Sequence, residues 1–320
     1  MSKPLSILEF QEMQDLNNLR KGVLIMDGDW LVFQAMAAAE EETDWGDDLW
    51  SLTCDHAKAW RILCDSIKSY AGARGGAARG RRKGDWLGAP IVLAFTHDDN
   101  WRKGVLPTYK ANRKKTRKPV GYRAFLERVW ENEEWFSIRE DRLEGDDVMG
   151  IIGSDPALFG FKKAVLVSCD KDFKTIPHCD FLWCTTGNIL SHSLAEADYW
   201  HTFQMIKGDI TDGYTGIAGW GDTAAEYLEN PFKFVLTQKE LKSGKNKGSI
   251  VEQWVKEPLA DTDTLWDGIV SLGAKAGMTP EDIIVQGQVA RILRASEYDW
   301  YNKEITLWEP SRSPSLCSSA

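Results

Sequence analysis

The chain has 320 residues, of which 43% are hydrophobic and 27% are charged, and its formal net charge is −9. This length suits one large domain or about two domains with a buried core, and it excludes a disordered chain or a disulfide-stapled mini-protein. No apolar run approaches the roughly 18 residues of a membrane-spanning helix, and the first residues lack the apolar region of a signal peptide. We therefore expect a cytoplasmic protein without membrane contact, whose six cysteines are reduced.

Short apolar runs alternate with helical patterns along residues 1–192, which indicates an α/β domain with a mostly parallel sheet flanked by helices. The predicted strands are residues 23–26, 91–95, 136–138, 164–167 and 181–183. The predicted helices between them are residues 31–40, 53–70, 120–134 and 146–153.

From residue 193 the pattern changes to helices and glycine turns. Ser193 and Glu196 have the spacing of a capping box, which predicts a helix to about residue 207. The later predictions are a glycine-rich helix-turn-helix at 208–225, a mobile loop at 241–249, a helix at 282–296 and a strand at 305–308. These patterns predict three parts: an α/β domain at 1–192, a helical region at 193–303, and a terminal strand and tail at 304–320.

The net charge alone argues against nucleic-acid binding, but the distribution of charge reverses that expectation. Residues 100–126 include nine basic side chains and no acidic one. Lysine and arginine neutralise phosphates while an aromatic side chain stacks on a base, so this segment is predicted to contact single-stranded DNA, with a solvated helix face as the alternative. The candidate DNA-binding residues in it are Arg102, Lys103, Tyr109, Lys114, Lys115, Arg117 and Lys118.

Carboxylates occur in short groups, several of them directly after a predicted strand or at a helix start. A single Asp-x-Asp pair is usually a turn or a helix cap, but several such groups meeting at one sheet edge favour a metal site. Oxygen ligands suit Mg²⁺ or Mn²⁺, and two such ions hydrolyse phosphodiesters. The candidate metal ligands are Asp27, Asp98, Glu144, Asp146, Asp147, Asp170, Asp172, Asp209 and Asp212, with Asp99 as the alternative to Asp98.

Glycines punctuate the turn that follows residue 207. Spaced glycines allow successive backbone N–H groups to face one anion, so the turn is predicted to hold a phosphate of duplex DNA. An ordinary connection between two helices is the alternative. The candidate DNA-binding residues in this turn are Gly216, Gly219, Gly221 and Thr223.

Taken together, these motifs resemble the flap-endonuclease superfamily of PIN-like 5′ nucleases, and most closely its bacteriophage 5′-to-3′ exonucleases. The resemblance spans nearly the whole chain. The motifs that carry it are IMDGDWL, LPTYKANRKKTRKP, LEGDD, SCDKDF and GDITDGYTGIAGWGDTAA. The sequence departs from the family pattern at THDDN, where a second metal aspartate is expected, and at Ala218 and Trp220 in the glycine turn.

The resemblance implies a metal-dependent enzyme that hydrolyses DNA from its 5′ end in phage replication or degradation. It implies two Mg²⁺ or Mn²⁺ ions, a K⁺ ion held by carbonyls of the glycine turn, and a helical arch at about 102–123. In that arch Lys110 and Arg113 would stabilise the scissile phosphate. The implied substrate is duplex DNA with a 5′ single-stranded end, the expected partners are phage replication proteins in the host cytoplasm, and we expect a monomer.

Two alternatives to this function remain open from the sequence. One is a structure-specific flap endonuclease, or a ribonuclease H-like 5′ nuclease acting on RNA–DNA hybrids. The other is a DNA-end-binding module without catalysis, which the full acidic set disfavours because carboxylates repel phosphates.

Overall fold

A computed structural model describes residues 3–72, 86, 88–113, 117–246 and 248–311. Two of the predicted DNA-binding residues, Lys114 and Lys115, lie outside the described residues. The chain forms two compact units, each assembled from separate stretches of sequence. The first unit comprises Met1–Trp101, Lys114–Asp198 and Ile292–Thr306, and the second comprises Arg102–Arg113, Tyr199–Arg291 and Leu307–Ala320.

The described residues form twelve strands and ten α-helices. The strands are β1 Val23–Asp27, β2 Glu40–Asp44, β3 Trp50–Cys54, β4 Ile91–Phe95, β5 Phe136–Arg139, β6 Ala164–Ser168, β7 Asp180–Trp183, β8 Asn188–Ser191, β9 Phe232–Glu240, β10 Ile250–Pro258, β11 Tyr298–Asp299 and β12 Glu304–Ile305. The α-helices are α1 Ile7–Glu12, α2 Gly28–Ala37, α3 His56–Tyr70, α4 Arg102–Val105, α5 Tyr122–Trp130, α6 Gly145–Ser154, α7 Leu194–Lys207, α8 Ala224–Glu229, α9 Leu265–Lys275 and α10 Pro280–Ala290.

A six-stranded sheet with the order β5-β4-β1-β6-β7-β8 forms the centre of the first unit. Only its last pair, β7 with β8, is antiparallel. The four apolar residues that begin β1 are all buried, as expected for a central parallel strand covered by helices on both faces. The predicted class, an α/β fold with a mostly parallel sheet flanked by helices, is confirmed.

Helix α6 packs closely on its neighbours because two of its interior residues are glycines. A Cβ at Gly150 would come within 2.5 Å of the Leu293 carbonyl oxygen, and one at Gly153 within 2.8 Å of Leu166. The two aspartates of this helix lie in its first turn. Its apolar side chains, which follow in the sequence GDDVMGIIGS, are buried in the core.

An antiparallel hairpin, β2–β3, replaces parts of two predicted helices. The predicted helix 31–40 is wrong at residue 40, and the predicted helix 53–70 is wrong at residues 53 and 54, because these residues pair within the hairpin. Gly46, Asp47 and Asp48 all have positive φ angles, so the chain reverses between the two strands.

The second unit contains α4, the part of α7 from Tyr199 onward, the helices α8–α10 and the hairpin β9–β10. Its hydrophobic core includes the buried side chains of Met205, Ile206, Tyr227, Ile269 and Ile283. The long strands of this hairpin were not predicted, and the predicted loop 241–249 connects them.

Two predictions near the carboxyl terminus are partly wrong. The predicted helix 282–296 ends as α10 at residue 290, and residues 295–297 form a short 3₁₀ helix instead. Of the predicted strand 305–308, only residue 305 pairs, within the short hairpin β11–β12. No helix among the described residues is long and apolar enough to cross a membrane.

Candidate metal and DNA-binding sites

Strand register places Asp27 at the carboxyl edge of the sheet in the first unit. Asp27 ends β1, where it lies beside Ala94 of β4, and Met26 before it lies beside Val167 of β6. The side chain of Asp27 caps α2 by accepting a hydrogen bond of 2.9 Å from the backbone N–H of Trp30. This edge is where open α/β sheets bind ligands.

Three aspartates interact around this position. Burial, together with the like charges of Asp29 and Asp170, raises the pKa of Asp27 to about 7, against a lowering by the hydrogen bond from Trp30. Burial also raises the pKa of Asp29 above its ordinary range. Carboxylates held this close lower their mutual repulsion when a cation lies among them, so the group fits a divalent ion.

The residue that sequence reasoning missed is Asp29. Its Oδ2 accepts a hydrogen bond of 2.8 Å from the backbone N–H of Thr96, directly after β4. The side chain of Asp98 is 97% exposed and forms an ion pair of 2.7 Å with Arg139, and its role as a metal ligand remains a prediction. The alternative, Asp99, is exposed as well. The sequence did contain a signal for Asp29, because the motif IMDGDWL has a second aspartate two residues after Asp27.

The LEGDD group lies at the start of α6, but its three acids differ in their surroundings. Asp147 is fully buried and accepts hydrogen bonds from Trp101 Nε1 at 3.0 Å, Leu293 N at 3.1 Å and Glu144 N at 3.2 Å. Both of its oxygens therefore accept hydrogen bonds within the protein, and metal binding by Asp147 remains a prediction. Glu144 is buried as the N-cap of α6, while Asp146 in the first turn is partly exposed.

The SCDKD group directly follows β6. Asp170 caps a 3₁₀ helix by accepting a hydrogen bond of 2.9 Å from Asp172 N, and its charge acts on Asp27. Asp172 forms an ion pair of 3.0 Å with its neighbour Lys171. Asp170 is thus brought to the Asp27 group, whereas Asp172 is engaged by a lysine.

Over the residues that the structure describes, no three or more His, Cys, Asp or Glu side chains are arranged as a complete metal-binding group. The predicted ligands of the first unit, Asp98 and Asp147 included, therefore remain predictions. The arrangement of Asp27, Asp29 and Asp170 is the part that the structure brings together.

In the second unit, Asp212 is surrounded by the predicted catalytic cations. Lys110 Nζ lies 3.6 Å from Asp212, and the Arg113 guanidinium forms an ion pair with the same carboxylate. The Tyr109 hydroxyl donates a hydrogen bond of 3.1 Å to Asp212 Oδ2. The motifs YKANR and GDITD, about 100 residues apart in sequence, thus meet within one unit.

Gly213 allows these two motifs to approach each other. It has a φ of +81°, and a Cβ there would lie 2.9 Å from the Thr108 carbonyl oxygen. The backbone N–H of Lys110 donates to the Asp212 carbonyl at 2.7 Å. Asp209, the other predicted ligand of this motif, accepts a hydrogen bond of 2.8 Å from Thr211 N and so stabilises the turn.

The glycines of the predicted phosphate-binding turn fall into two kinds. Gly216 is buried, and its N–H donates a hydrogen bond of 2.9 Å to Gln286 Oε1, so the prediction that it contacts DNA is wrong. Gly219 and Gly221 are exposed, and a Cβ at either position would meet nothing within 4 Å. Thr223 is also exposed, and its hydroxyl donates to the Trp220 carbonyl at 2.6 Å.

Two further residues of the basic segment are buried. Arg102 is 2% exposed and donates to the carbonyl oxygens of Val289, at 3.0 Å, and Arg291, at 2.5 Å. Tyr109 is 3% exposed. Predicting DNA contacts for both was wrong, because their side chains pack inside the second unit.

Other basic side chains of the segment are accessible. Lys103 is exposed, and Lys118 is exposed with its Nζ 4.5 Å from the centre of the Tyr122 ring. Arg117 forms a two-pronged ion pair with Glu40, at 2.6 and 2.8 Å. Contacts of these three residues with DNA remain predictions.

Two bacteriophage proteins are similar to this chain over nearly its whole length. The exonuclease of Escherichia phage T7 is 60% identical over 307 residues, which cover 96% of this chain and 99% of that protein. The exodeoxyribonuclease of Enterobacteria phage T3 is 59% identical over 307 residues, covering 96% of this chain and 98% of that protein. No protein-family model matches the chain.

Among solved structures, a phage T5 5′-exonuclease is 15% identical, covers 84% of this chain and 88% of its own, and gives a TM-score of 0.45. The two phage relatives share well over half of their residues with this chain across almost its entire length. The family that the motifs predict is thereby confirmed, and the chain belongs to the bacteriophage exonucleases.

Proposed function

We propose that the chain is a metal-dependent exonuclease that hydrolyses the phosphodiester bonds of DNA from the 5′ end. The observation that carries this proposal is the group of Asp27, Asp29 and Asp170, in which like charges meet at the carboxyl edge of the sheet. The names of the T7 and T3 relatives, an exonuclease and an exodeoxyribonuclease, support the same activity.

Asp27, Asp29 and Asp170 are proposed to contribute ligands to a divalent ion, directly or through water, with Glu144, Asp146 and Asp172 as further candidates. When bound, Mg²⁺ or Mn²⁺ supplies an activated water and neutralises charge on the phosphate, and we propose two such ions. The partial exposure of Asp27 gives an ion access to its carboxylate. Asp209 and Asp212 stay candidate ligands of the second unit.

Lys110 and Arg113 are proposed to stabilise the scissile phosphate as charge develops on it. In the free protein both cations already interact with Asp212. DNA phosphates would therefore compete with this carboxylate for the same two side chains. In this proposal Asp212 holds the two cations in position in the free protein, and the phosphates of bound DNA then take its place as their partner.

The exposed positions Gly219, Gly221 and Thr223 are proposed to contact the phosphates of duplex DNA, with a K⁺ ion held by carbonyls of the same turn. We further propose that the protein acts in the host cytoplasm as a monomer, with phage replication proteins as partners and an RNA–DNA hybrid as a second substrate. The five described cysteines are all free thiols, which agrees with a reducing compartment.

A cleavage assay with end-labelled DNA tests the proposed function. The substrates are duplexes labelled at the 5′ or the 3′ end, a 5′ flap and an RNA–DNA hybrid, each with Mg²⁺ or with chelator. We expect mononucleotides from the 5′ end with Mg²⁺ and no product with chelator. Release of an intact flap as the main product would instead favour the flap-endonuclease alternative.

Two variants make the assay specific to the proposed site. Asp29→Asn should reduce cleavage by at least about a hundredfold while DNA binding persists, since a lost metal ligand removes several kcal/mol of transition-state stabilisation. Asp98→Asn is the matched control, because Asp98 is exposed and paired with Arg139, and it should cleave at nearly the wild-type rate. Equal activity of both variants would contradict the assignment of Asp29.

A further inference from the structure

The hairpin β9–β10 of the second unit has no role in the proposed function. Its strands pair over nine residues each, from Phe232 with Pro258 to Glu240 with Ile250. At about 3.4 Å per residue, such a ribbon is roughly 30 Å long. A two-stranded hairpin of this length is only marginally stable by itself, so its base requires an anchor.

The base of the hairpin is fixed to α9 and its surroundings. The backbone N–H of Phe234 donates a hydrogen bond of 2.8 Å to Ser271 Oγ, and Lys275 Nζ lies 3.7 Å from the centre of the Phe234 ring. Lys233 forms an ion pair of 2.7 Å with Asp263. These contacts hold the base while the outer half extends into solvent, where Leu236 is 46% exposed and Ile250 is 67% exposed.

Backbone hydrogen bonds connect the two sides of the hairpin's outer end. Leu241 N donates to the Ser249 carbonyl at 3.0 Å, and Gly248 N donates to the Leu241 carbonyl at 2.8 Å. Gly244 has a φ of +88°, and a Cβ there would meet nothing within 4 Å, so the turn leaves open space around its backbone. The described residues of the tip are therefore largely accessible.

The charge of this tip is opposite to that of the whole chain. Residues 241–249 contain three lysines and no acidic residue, although the net charge of the chain is −9. Lys239, Lys242 and Lys245 are exposed, and no carboxylate of the described residues pairs with them. Glu240 and Glu252 lie on the opposite face of the ribbon from Lys239, because side chains alternate along a strand.

We propose that the tip of the β9–β10 hairpin is a second DNA-contacting surface, which binds the phosphates of duplex DNA in addition to the exposed glycines of the turn. Solvated lysines on a projecting ribbon, without carboxylate partners among the described residues, match a ligand that carries one charge per about 1.7 Å of its axis. This inference rests on the proposed function, since it extends the same DNA-binding role to an element outside the predicted motifs.

The test compares duplexes of two lengths, because the tip lies roughly 30 Å from the base of the hairpin, and a duplex bound near the base reaches the tip only if it extends past roughly nine base pairs of about 3.4 Å each. The probes are DNA duplexes of about 10 and about 30 base pairs with a 5′ single-stranded end, with Ca²⁺ in place of Mg²⁺. The variant carries Lys239→Ala, Lys242→Ala and Lys245→Ala. The control carries Lys21→Ala, Lys162→Ala and Lys163→Ala, which are exposed lysines of the first unit.

For the hairpin variant we expect about a tenfold loss of affinity for the long duplex. The slope of the logarithm of the association constant against the logarithm of salt concentration should be smaller in magnitude by about 2 to 3. Affinity for the short duplex and the Mg²⁺-dependent cleavage rate at saturating short substrate should not change. Replacing the same lysines by arginine should restore binding, which separates lost charge from misfolding.

Equal affinities of the hairpin variant and the wild type for the long duplex would overturn the proposal. That result would favour a protein, and not DNA, as the ligand of the tip. An equal loss in the control variant would overturn it too, since the effect would then be one of net charge. If the wild type cleaves DNA while the hairpin variant binds normally, only this inference fails. A wild type that neither binds nor cleaves DNA contradicts the proposed function itself.

Discussion

The carboxylates of the first unit differ most in whether their oxygens are already bonded. Asp147 accepts three hydrogen bonds inside the protein, two of them from groups close in space but distant in sequence. Asp27 accepts a hydrogen bond at its helix cap and faces the like charges of Asp29 and Asp170. An acid of the first kind stabilises the fold, whereas one of the second kind gains stability from a bound cation.

The raised pKa of Asp27 predicts a measurable effect on stability. A folded-state pKa of about 7 against an ordinary value of 3.8 means that stability falls as the pH rises from about 4 to about 7. Asp27→Asn lacks this ionisation and keeps a side-chain oxygen for the cap of α2. We expect the variant to exceed the wild type in free energy of unfolding at pH 8 by on the order of 1–3 kcal/mol.

Urea unfolding at pH 4, 6 and 8 in the presence of chelator measures this effect. The advantage of the Asn variant should grow with pH, and adding Mg²⁺ at pH 8 should stabilise the wild type only. A constant difference between the two proteins across the three pH values would show that Asp27 is not perturbed in the free protein.

Asp147→Ala is predicted to be strongly destabilising. It leaves the buried donors Trp101 Nε1 and Leu293 N without their acceptor, which costs about 2–4 kcal/mol in free energy of unfolding. Asp146→Ala, one residue away and partly exposed, is the matched control and should cost less than about 1 kcal/mol. Thermal unfolding of both variants checks the difference, and similar midpoints would contradict the structural role of Asp147.

At the scale of elements, the glycine turn combines a packed half and an open half. Gly208 and Gly216 lie in close contact. A Cβ at Gly208 would lie 2.4 Å from Gly216 N, and a Cβ at Gly216 would lie 2.4 Å from Gly208 N. Gly219 and Gly221, a few residues later, face open space. The first pair closes the turn between α7 and the next helix, and the second pair leaves backbone accessible to a ligand.

Alanine substitutions should separate these two halves. Gly216→Ala places a Cβ 2.4 Å from Gly208 N at a positive φ, and we expect a loss of several kcal/mol in free energy of unfolding. Gly219→Ala meets no atom within 4 Å, so it should cost about 1 kcal/mol through its positive φ of +88° and weaken DNA binding. Unfolding curves and DNA titrations of the two variants measure both effects. A Gly216→Ala protein as stable as Gly219→Ala would contradict the packing role.

At the scale of the whole molecule, charge is segregated rather than averaged. The chain is acidic overall, yet residues 100–126 lack acids and the β9–β10 tip carries three lysines. Acidic side chains concentrate elsewhere, for example along β2 and its turn. Such segregation allows an acidic protein to bind a polyanion through limited surfaces.

We predict a steep salt dependence of DNA binding despite the net charge of −9. If about six phosphates are contacted, the logarithm of the association constant should fall with a slope of about 5 against the logarithm of salt concentration. Titrations of a duplex with a 5′ single-stranded end between low and physiological salt, with Ca²⁺, measure the slope. A slope near 1 would show that the basic segment is a solvated face and not a DNA-binding surface.

Local patterns predict β1, β4, β5, β6 and β7 of the central sheet to within one residue at each end, because buried parallel strands require continuous apolar runs. The hairpins β2–β3 and β9–β10 were missed, since their strands are largely exposed and mix charged with apolar residues. Exposed strands carry little hydrophobic periodicity, and tertiary anchoring such as that of Phe234 stabilises them.

The sequence by itself determined the family, the parallel sheet and the positions of Asp27 and Asp170, because motif order and apolar runs are local properties of the chain. Only the tertiary structure decided that Asp29 interacts with Asp27 while Asp98 pairs with Arg139, and that Asp147 and Arg102 are buried. Those outcomes depend on partners far away in sequence, such as Leu293 for Asp147 and Val289 for Arg102. Whether a polar side chain faces a ligand or the protein interior is settled by what packs against it, and no local pattern contains that information.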